Sequence, residues 1–362
     1  MQRRDFIKAV GFTSAGLMVP EVFSQSNAQS STSPGWRVFE VTTKVNVLKP
    51  LGVTRVWLPM PLTVDTPYQK NLGSTWKAEG GSALVVVQPE YQASVLAAEW
   101  AEGAAPTLTM VSRFATRDYS VDLQGRRPTI AEPDDIKTYL RPTQLLPTDG
   151  IVKATADRAI KGAKGDMEKA RAIYEWVVEN TFRDPKTRGC GVGDVKAMLE
   201  ANSLGGKCAD INAVFVALCR AAGVPARDIY GVRVADSSRG YKSLGKSGNI
   251  TKAQHCRAEF YAAGKGWIPV DAGDVRKVVL EEEGGLPLTH EKVVKAREYL
   301  FGNWEMNWLA YNYAHDVALP NSSKKPIGYL MYPQCETADG RLDSLDPDNF
   351  KYELTARELT SV

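Results

Sequence analysis

Histidine is scarce: 362 residues hold three, His255, His290 and His315. The five cysteines include no Cys-x-x-Cys pair, and neither His290 nor His315 has a second ligand at zinc spacing. Both facts argue against a metal centre. No glycine-rich phosphate loop, dinucleotide fingerprint or calcium-loop pattern occurs, so no cofactor is implied. Neither sign of charge dominates. Lys and Arg number 45 against 42 Asp and Glu, a formal +3 with the signs intermixed, which gives no reason to expect a nucleic-acid partner. No apolar run is long enough to span the ~30 Å of a bilayer core comfortably. What remains is an ordinary globular composition with length for two domains.

The first segment reads as an address. Arg3 and Arg4 precede a short, weakly apolar stretch from Ala9 to Pro20, and Ser26 to Ala28 place small residues where a signal peptidase cuts. Residues 1–28 are expected to be a twin-arginine export signal, leaving a soluble periplasmic protein that begins near Gln29, with no membrane span. Ser30 to Pro34 would be a disordered leader.

From Trp36 the apolar residues alternate, with Phe39, Val41, Val45 and Val47 on one face. Val53 to Leu58, Leu84 to Gln88, Ala97 to Trp100 and Leu108 to Thr116 read as further strands, separated by prolines and glycine pairs. Residues 35–123 are therefore expected to form a β-rich, sandwich-like domain. A connector from Pro128 to Gly150 carries one helical turn at Asp134 to Tyr139. Helices follow at Ile151 to Lys161, Asp166 to Asn180 and Asp194 to Ala201. Late strands at Tyr329 to Cys335 and Phe350 to Leu354 are expected to complete the core sheet of a second domain, 150–356. A helix at Thr289 to Leu300 and an aromatic cluster, Trp304, Trp308, Tyr311 and Tyr313, lie before them.

The chemistry concentrates after Gly205. A glycine pair, Lys207 and Cys208 lead into a helix whose Ile211, Val214, Phe215, Leu218 and Ala222 make one apolar face, closed by Gly223 and Pro225. Cys208 thus falls at a helix N-terminus, where unpaired N–H groups and the dipole stabilise a thiolate. A buried structural thiol is the alternative. Downstream, Gln254 to Gly273 reads as a β-hairpin around Gly264-Lys-Gly266, with His255 near its start and Asp271 near its end. Folding it back lets the carboxylate bond one imidazole nitrogen and leaves the other for a thiol proton.

Both stretches resemble the transglutaminase-like superfamily of papain-related cysteine enzymes. The first motif is matched by Gly206, Cys208 and Arg220 to Arg227, the second by His255, Gly266, Trp267, Pro269 and Asp271. The family's Trp after the His is replaced here by Cys256 and Arg257, which alters the groove beside the base. The resemblance covers about half the chain and implies an α+β fold, a nucleophile helix packed on an antiparallel sheet. It also implies a Cys208/His255/Asp271 triad acting on peptide or protein amides through a thioester.

The Cys208 N–H is one expected oxyanion donor, and Asn202, just upstream, is the side-chain candidate, although it equally suits a helix end. Cys190, Cys219, Cys256 and Cys335 allow two disulfides and demand none; free or buried thiols are expected. Family members either hydrolyse amides or cross-link glutamine to amines. Hydrolysis is the expectation, cross-linking the alternative, and a non-catalytic scaffold the reading from another class.

Overall fold

A computed structural model describes residues 35–125 and 133–359; the expected export signal and leader lie outside the described residues. Six strands come first: β1 (Arg37–Val47), β2 (Thr54–Pro59), β3 (Gln69–Glu79), β4 (Ser82–Gln88), β5 (Ala93–Trp100) and β6 (Thr107–Thr116). The middle of the chain carries α1 (Gly150–Ala159), α2 (Gly165–Asn180), α3 (Val195–Glu200) and α4 (Cys208–Ala221). It continues through β7 (Ala226–Arg233), β8 (Gln254–Ala262), β9 (Gly266–Val270), α5 (Ala272–Glu281), α6 (Glu291–Tyr299) and β10 (Trp308–Asn312). Two late strands follow, β11 (Gln334–Thr337) and β12 (Phe350–Leu359).

The expected sandwich is present, and the end of the chain belongs to it. One sheet runs β12-β1-β6-β3, the other β11-β2-β5-β4. Val45, Leu108, Met110 and Phe350 of the first cluster with Val56, Leu58, Leu96 and Cys335 of the second. The late strands therefore do not complete the core sheet, as the sequence suggested; β12 pairs with β1 from Val38↔Leu359 to Val47↔Phe350. The cause lies in their alternation. Phe350, Leu354 and Ala356 are buried while Lys351, Glu353 and Arg357 are exposed, a pattern for a sheet with one wet face. The core sheet has none to offer: every residue of β7 and β8 is buried. The polar strand β3 escaped notice in the sequence because it is a largely exposed edge, bulged at Gly73.

The core sheet is antiparallel, in the order β9-β8-β7-β10. Helix α4 packs on it, with Val214, Phe215 and Leu218 fully buried among residues of α1, α2 and β8. More than one face is covered: all fourteen residues of α4 are buried. Its polar members reach partners in neighbouring elements, with Arg220 Nη2 alone left unpaired. Arg220 donates to the Ala226 carbonyl at 2.8 Å and the Arg141 carbonyl at 3.0 Å. Helix α5 was not legible, since Gly273 in its first turn lowers local propensity. It forms because Asp271 caps it, accepting from the Asp274 N–H at 3.0 Å.

Candidate active site

Asp210, in the first turn of α4, builds the approach to Cys208. Its carboxylate accepts from the backbone N–H groups of Lys207 (2.9 Å), Val192 (3.0 Å) and Gly193 (2.9 Å). The first contact is half of a capping box; the other two wrap the 189–193 loop onto the helix start. Only glycine fits where that loop passes. A Cβ on Gly191, at φ +97°, would lie 1.8 Å from an Asp210 oxygen, and one on Gly206 would lie 2.4 Å from it. The loop in turn delivers Cys190, whose carbonyl accepts from the Ala209 N–H at 2.9 Å. As the first helical residue, Cys208 has no intrahelical partner for its own N–H.

The hairpin brings in the other two groups. With Ala258 opposite Val270, Asp271 leaves β9 and becomes the cap of α5, facing back toward the start of β8. His255 Nε2 lies 2.7 Å from Asp271 Oδ2, with both groups buried. The contact fixes the tautomer with hydrogen on Nε2 and leaves Nδ1 for the thiol. Trp308 donates its indole N–H to the His255 carbonyl at 2.9 Å. Asn212, one turn after Cys208, ties the elements together. Its amide donates to Asp271 Oδ1 (3.1 Å) and the Cys256 carbonyl (2.9 Å), and its oxygen accepts from the Gly273 N–H (3.1 Å).

A second carboxylate completes the site. Asp274 Oδ2 lies 3.4 Å from His255 Nε2, and both Asp274 oxygens also accept from one Arg233 nitrogen, Nη2, at 2.6 and 2.8 Å. Burial and the Arg233 charge press the imidazole pKa down; the Asp274 and Asp271 charges outweigh them and raise it to about 9. Burial raises Asp271, helped by the Asp274 charge, whereas Arg233 overcomes burial and holds Asp274 well below the usual range. The sequence reading passed over Asp274, Asn212 and Arg233. The spacings Asp271-x-x-Asp274 and Cys208-x-x-x-Asn212 put each pair on one helix face and were the available signal.

Cys208 is held well below a normal thiol. The Cys190 and Cys256 thiols contribute first, by hydrogen bonding; burial opposes them, and His255 adds a hydrogen bond and its charge. Cys190, through its contact with Cys208 and then burial, and Cys256, through burial first, move the opposite way and stay neutral; the Cys190 thiol donates to the Gln254 carbonyl at 3.2 Å. All five cysteines are free and buried.

Arg257 does not enter the groove wall. It is buried behind the site, its guanidinium 4.8 Å from the Trp308 ring centre, donating to the Glu305 carbonyl at 3.0 Å and 3.6 Å from Asp271 Oδ2. The aromatic wall comes from the chain's end instead: Tyr332, Phe350 and Tyr352 line a cleft of about 930 Å³ that reaches Cys190, Cys208 and His255. Asn202 is elsewhere. It is exposed at φ +49° in the turn that ends α3, and it is not among the cleft residues. His315 is buried against Asp228 at 3.2 Å, and His290 caps α6 by accepting from the Lys292 N–H. One His and carboxylate group among the described residues, His255, Asp271 and Asp274, has atoms close enough to hold a metal. Arg233 and Arg257 already supply its positive charge.

Comparison with known proteins agrees with this architecture. Residues 153–272 match the family model described as the transglutaminase-like superfamily. An uncharacterized protein of Haemophilus influenzae (strain Rd) is 36% identical over 342 residues, 89% of this chain and 92% of the relative. A Cytophaga hutchinsonii structure described as a candidate cysteine protease is similar over 89% of this chain and 98% of its own, at 16% identity and TM-score 0.51, a likeness of fold. The periplasmic domain of TgpA from Pseudomonas aeruginosa matches 66% of this chain and 94% of its own, at 15% identity and TM-score 0.36.

Proposed function

Because this chain belongs to the transglutaminase-like superfamily, we propose that it is a thiol-dependent hydrolase of amide or peptide bonds. Cys208 is the nucleophile, His255 the acid–base group and Asp271 the residue that orients it. One observation carries the reading: a thiol with lowered pKa at a helix N-terminus shares a cleft with an imidazole whose far nitrogen is held 2.7 Å from a buried carboxylate. The resting pair is thiolate and imidazolium. The thiolate adds to the substrate carbonyl, and the His255 proton passes to the departing amine as the C–N bond breaks, leaving a thioester. Water then attacks; His255 takes its proton, the thiolate leaves, and the acid is released. The Cys208 N–H is the oxyanion donor in this reading. Asn202, exposed and outside the cleft, is given no part.

Hydrolysis is favoured over transfer to an amine by the charge of the cleft. Lysine and arginine side chains line it in excess, and they repel a protonated lysine approaching the thioester. The paired arginines near the N-terminus support export by the twin-arginine route, hence a periplasmic place of action. The test is mass spectrometry of a glutamine-containing peptide incubated with enzyme and excess primary amine. Deamidation or backbone cleavage, absent in Cys208→Ser, is expected. A dominant amine adduct would replace hydrolysis with cross-linking.

A further inference from the structure

The chain as a whole is close to neutral, yet its cleft is not. Eight basic side chains line it against a single carboxylate, Glu353. Four of the eight are already engaged. Arg233 is paired with Asp274, Arg188 with Asp343, and Arg183 and Lys277 with Glu281. The other four, Lys207, Lys246, Lys252 and Lys351, form none of the salt bridges found among the described residues.

Their placement is not scattered. Lys207 directly precedes the Cys208 nucleophile. Lys246 and Lys252 belong to the loop that leads into β8, Lys252 three residues before His255. Lys351 stands on β12, the strand with which that loop pairs at Gly248↔Ala356 and Asn249↔Thr355. Three exposed ammonium groups thus follow one wall of the cleft beside the base. In the same cleft, Tyr332 and Tyr352, the latter next to Lys351 on β12, give an apolar surface for the body of an extended chain. Cations that outnumber the one carboxylate beside them, Glu353, raise the free energy of the empty cleft, and a bound anion relieves it.

We propose that the substrate is an acidic peptide, one bearing carboxylates on the residues that flank the scissile amide, held by Lys246, Lys252 and Lys351. This rests on the hydrolase reading for the bond that is cut, whereas the recognition is a property of the cleft and can be measured without turnover. Lys207, beside the thiolate, is the remaining cation for a carboxylate close to the reacting bond.

The experiment uses rhodamine-labelled peptides and the full chain as Cys208→Ser, so that binding is read by anisotropy with no reaction. A glutamate-rich peptide is expected to bind about tenfold more tightly than its glutamine counterpart at low salt, because three exposed ion pairs are individually weak. The margin should shrink to about twofold near 0.5 M salt. Lys246→Gln, Lys252→Gln and Lys351→Gln combined, all at exposed positions, should erase the preference. Equal binding of the two peptides would overturn the proposal, as would a single-stranded oligonucleotide binding as tightly as the glutamate peptide. Alkylation of Cys208 by neutral iodoacetamide, in the triple variant with the cysteine restored, separates the two readings. An unchanged rate is expected. A lysine effect on that rate, with no effect on peptide binding, would assign the lysines to the thiol's charge and reject them as a peptide site. An inert Cys208 alongside selective binding would reject the hydrolase and leave the acidic-peptide site standing.

Discussion

His255 Nε2 is shared by two carboxylates, Asp271 Oδ2 at 2.7 Å and Asp274 Oδ2 at 3.4 Å. Asp271 holds the ring by direct hydrogen bonding, and Asp274 adds a second negative charge from one helical turn away. The imidazolium is therefore kept to about pH 9 by two anions rather than one. Asp274→Asn removes one of those charges and frees Arg233, which itself disfavours the cation. The basic limb of the activity profile is expected near pH 9 in the parent and clearly lower in the variant. A limb that stays in place would show that Asp274 serves Arg233 alone. Asp271→Asn should do more, cutting turnover by about 10²- to 10⁴-fold through the wrong tautomer.

Thiol reactivity tests the nucleophile and the two cysteines beside it. Alkylation of Cys208 should begin well below the free-thiol value of about 8.5, while Cys190 and Cys256, both pushed up, react slowly. Cys208→Ser should remove the fast label and leave the fold intact. Cys190→Ala takes away the first of the donors that stabilise the thiolate, so the reactive limb should move to higher pH. Peptide mapping of the label decides. A fast label on Cys335 or Cys190, with Cys208 inert, would end the enzyme reading in favour of a scaffold.

The 189–193 loop predicts a contrast between two glycines. Gly191 and Gly223 both sit at positive φ, +97° and +80°, so alanine is strained at each. At Gly223 the added methyl meets open space; at Gly191 it would collide with Asp210. Gly223→Ala should cost about 1 kcal/mol from the backbone alone. Gly191→Ala should cost at least about 2–3 kcal/mol and blunt the reactivity of Cys208, because the helix start loses its carboxylate anchor. Urea midpoints for the two variants measure the difference, and equal midpoints would show that the loop yields freely.

Much of this site was legible because its signals are local. Glycines and a proline bracket α4, the hairpin announces itself at Gly264 and Gly266, and together they bring Cys208 and His255 to one cleft, with Asp271 buried against His255. What could not be read depends on distant pairing. Nothing near Lys351 says that β12 joins β1 across the length of the chain, or that Tyr332 and Tyr352 would face Cys208. Arg257 shows the limit well. By position it replaces a groove tryptophan, yet burial against Trp308 and attraction to Asp271 turn it behind the site. Asn202 shows the converse: closeness in sequence to Cys208 did not survive the turn after α3, where its left-handed backbone makes it a helix end.

The opposed shifts of Cys208 and His255 also predict how stability depends on pH. His255 is raised from 6.5 to about 9, so its contribution is complete below pH 6.5 and is lost as pH rises through 9. Cys208 is depressed, so its contribution is complete above the unfolded thiol value of about 8.5 and is lost as pH falls through the folded one. Between about pH 6.5 and 8.5 the folded protein holds thiolate and imidazolium where the unfolded chain holds thiol and imidazole. The proton counts match, and the two slopes cancel. Cys208→Ser removes one slope and keeps the other, since the charges that raise His255 come from Asp274 and Asp271. The variant should therefore lose stability relative to the parent across this window, at up to about 1.4 kcal/mol per pH unit. Urea unfolding of both proteins at pH 6.5, 7.5 and 8.5, under reducing conditions, measures the divergence. Parallel stability curves would mean that the thiol keeps its proton in the folded state, and the thiolate–imidazolium pair would have to be abandoned.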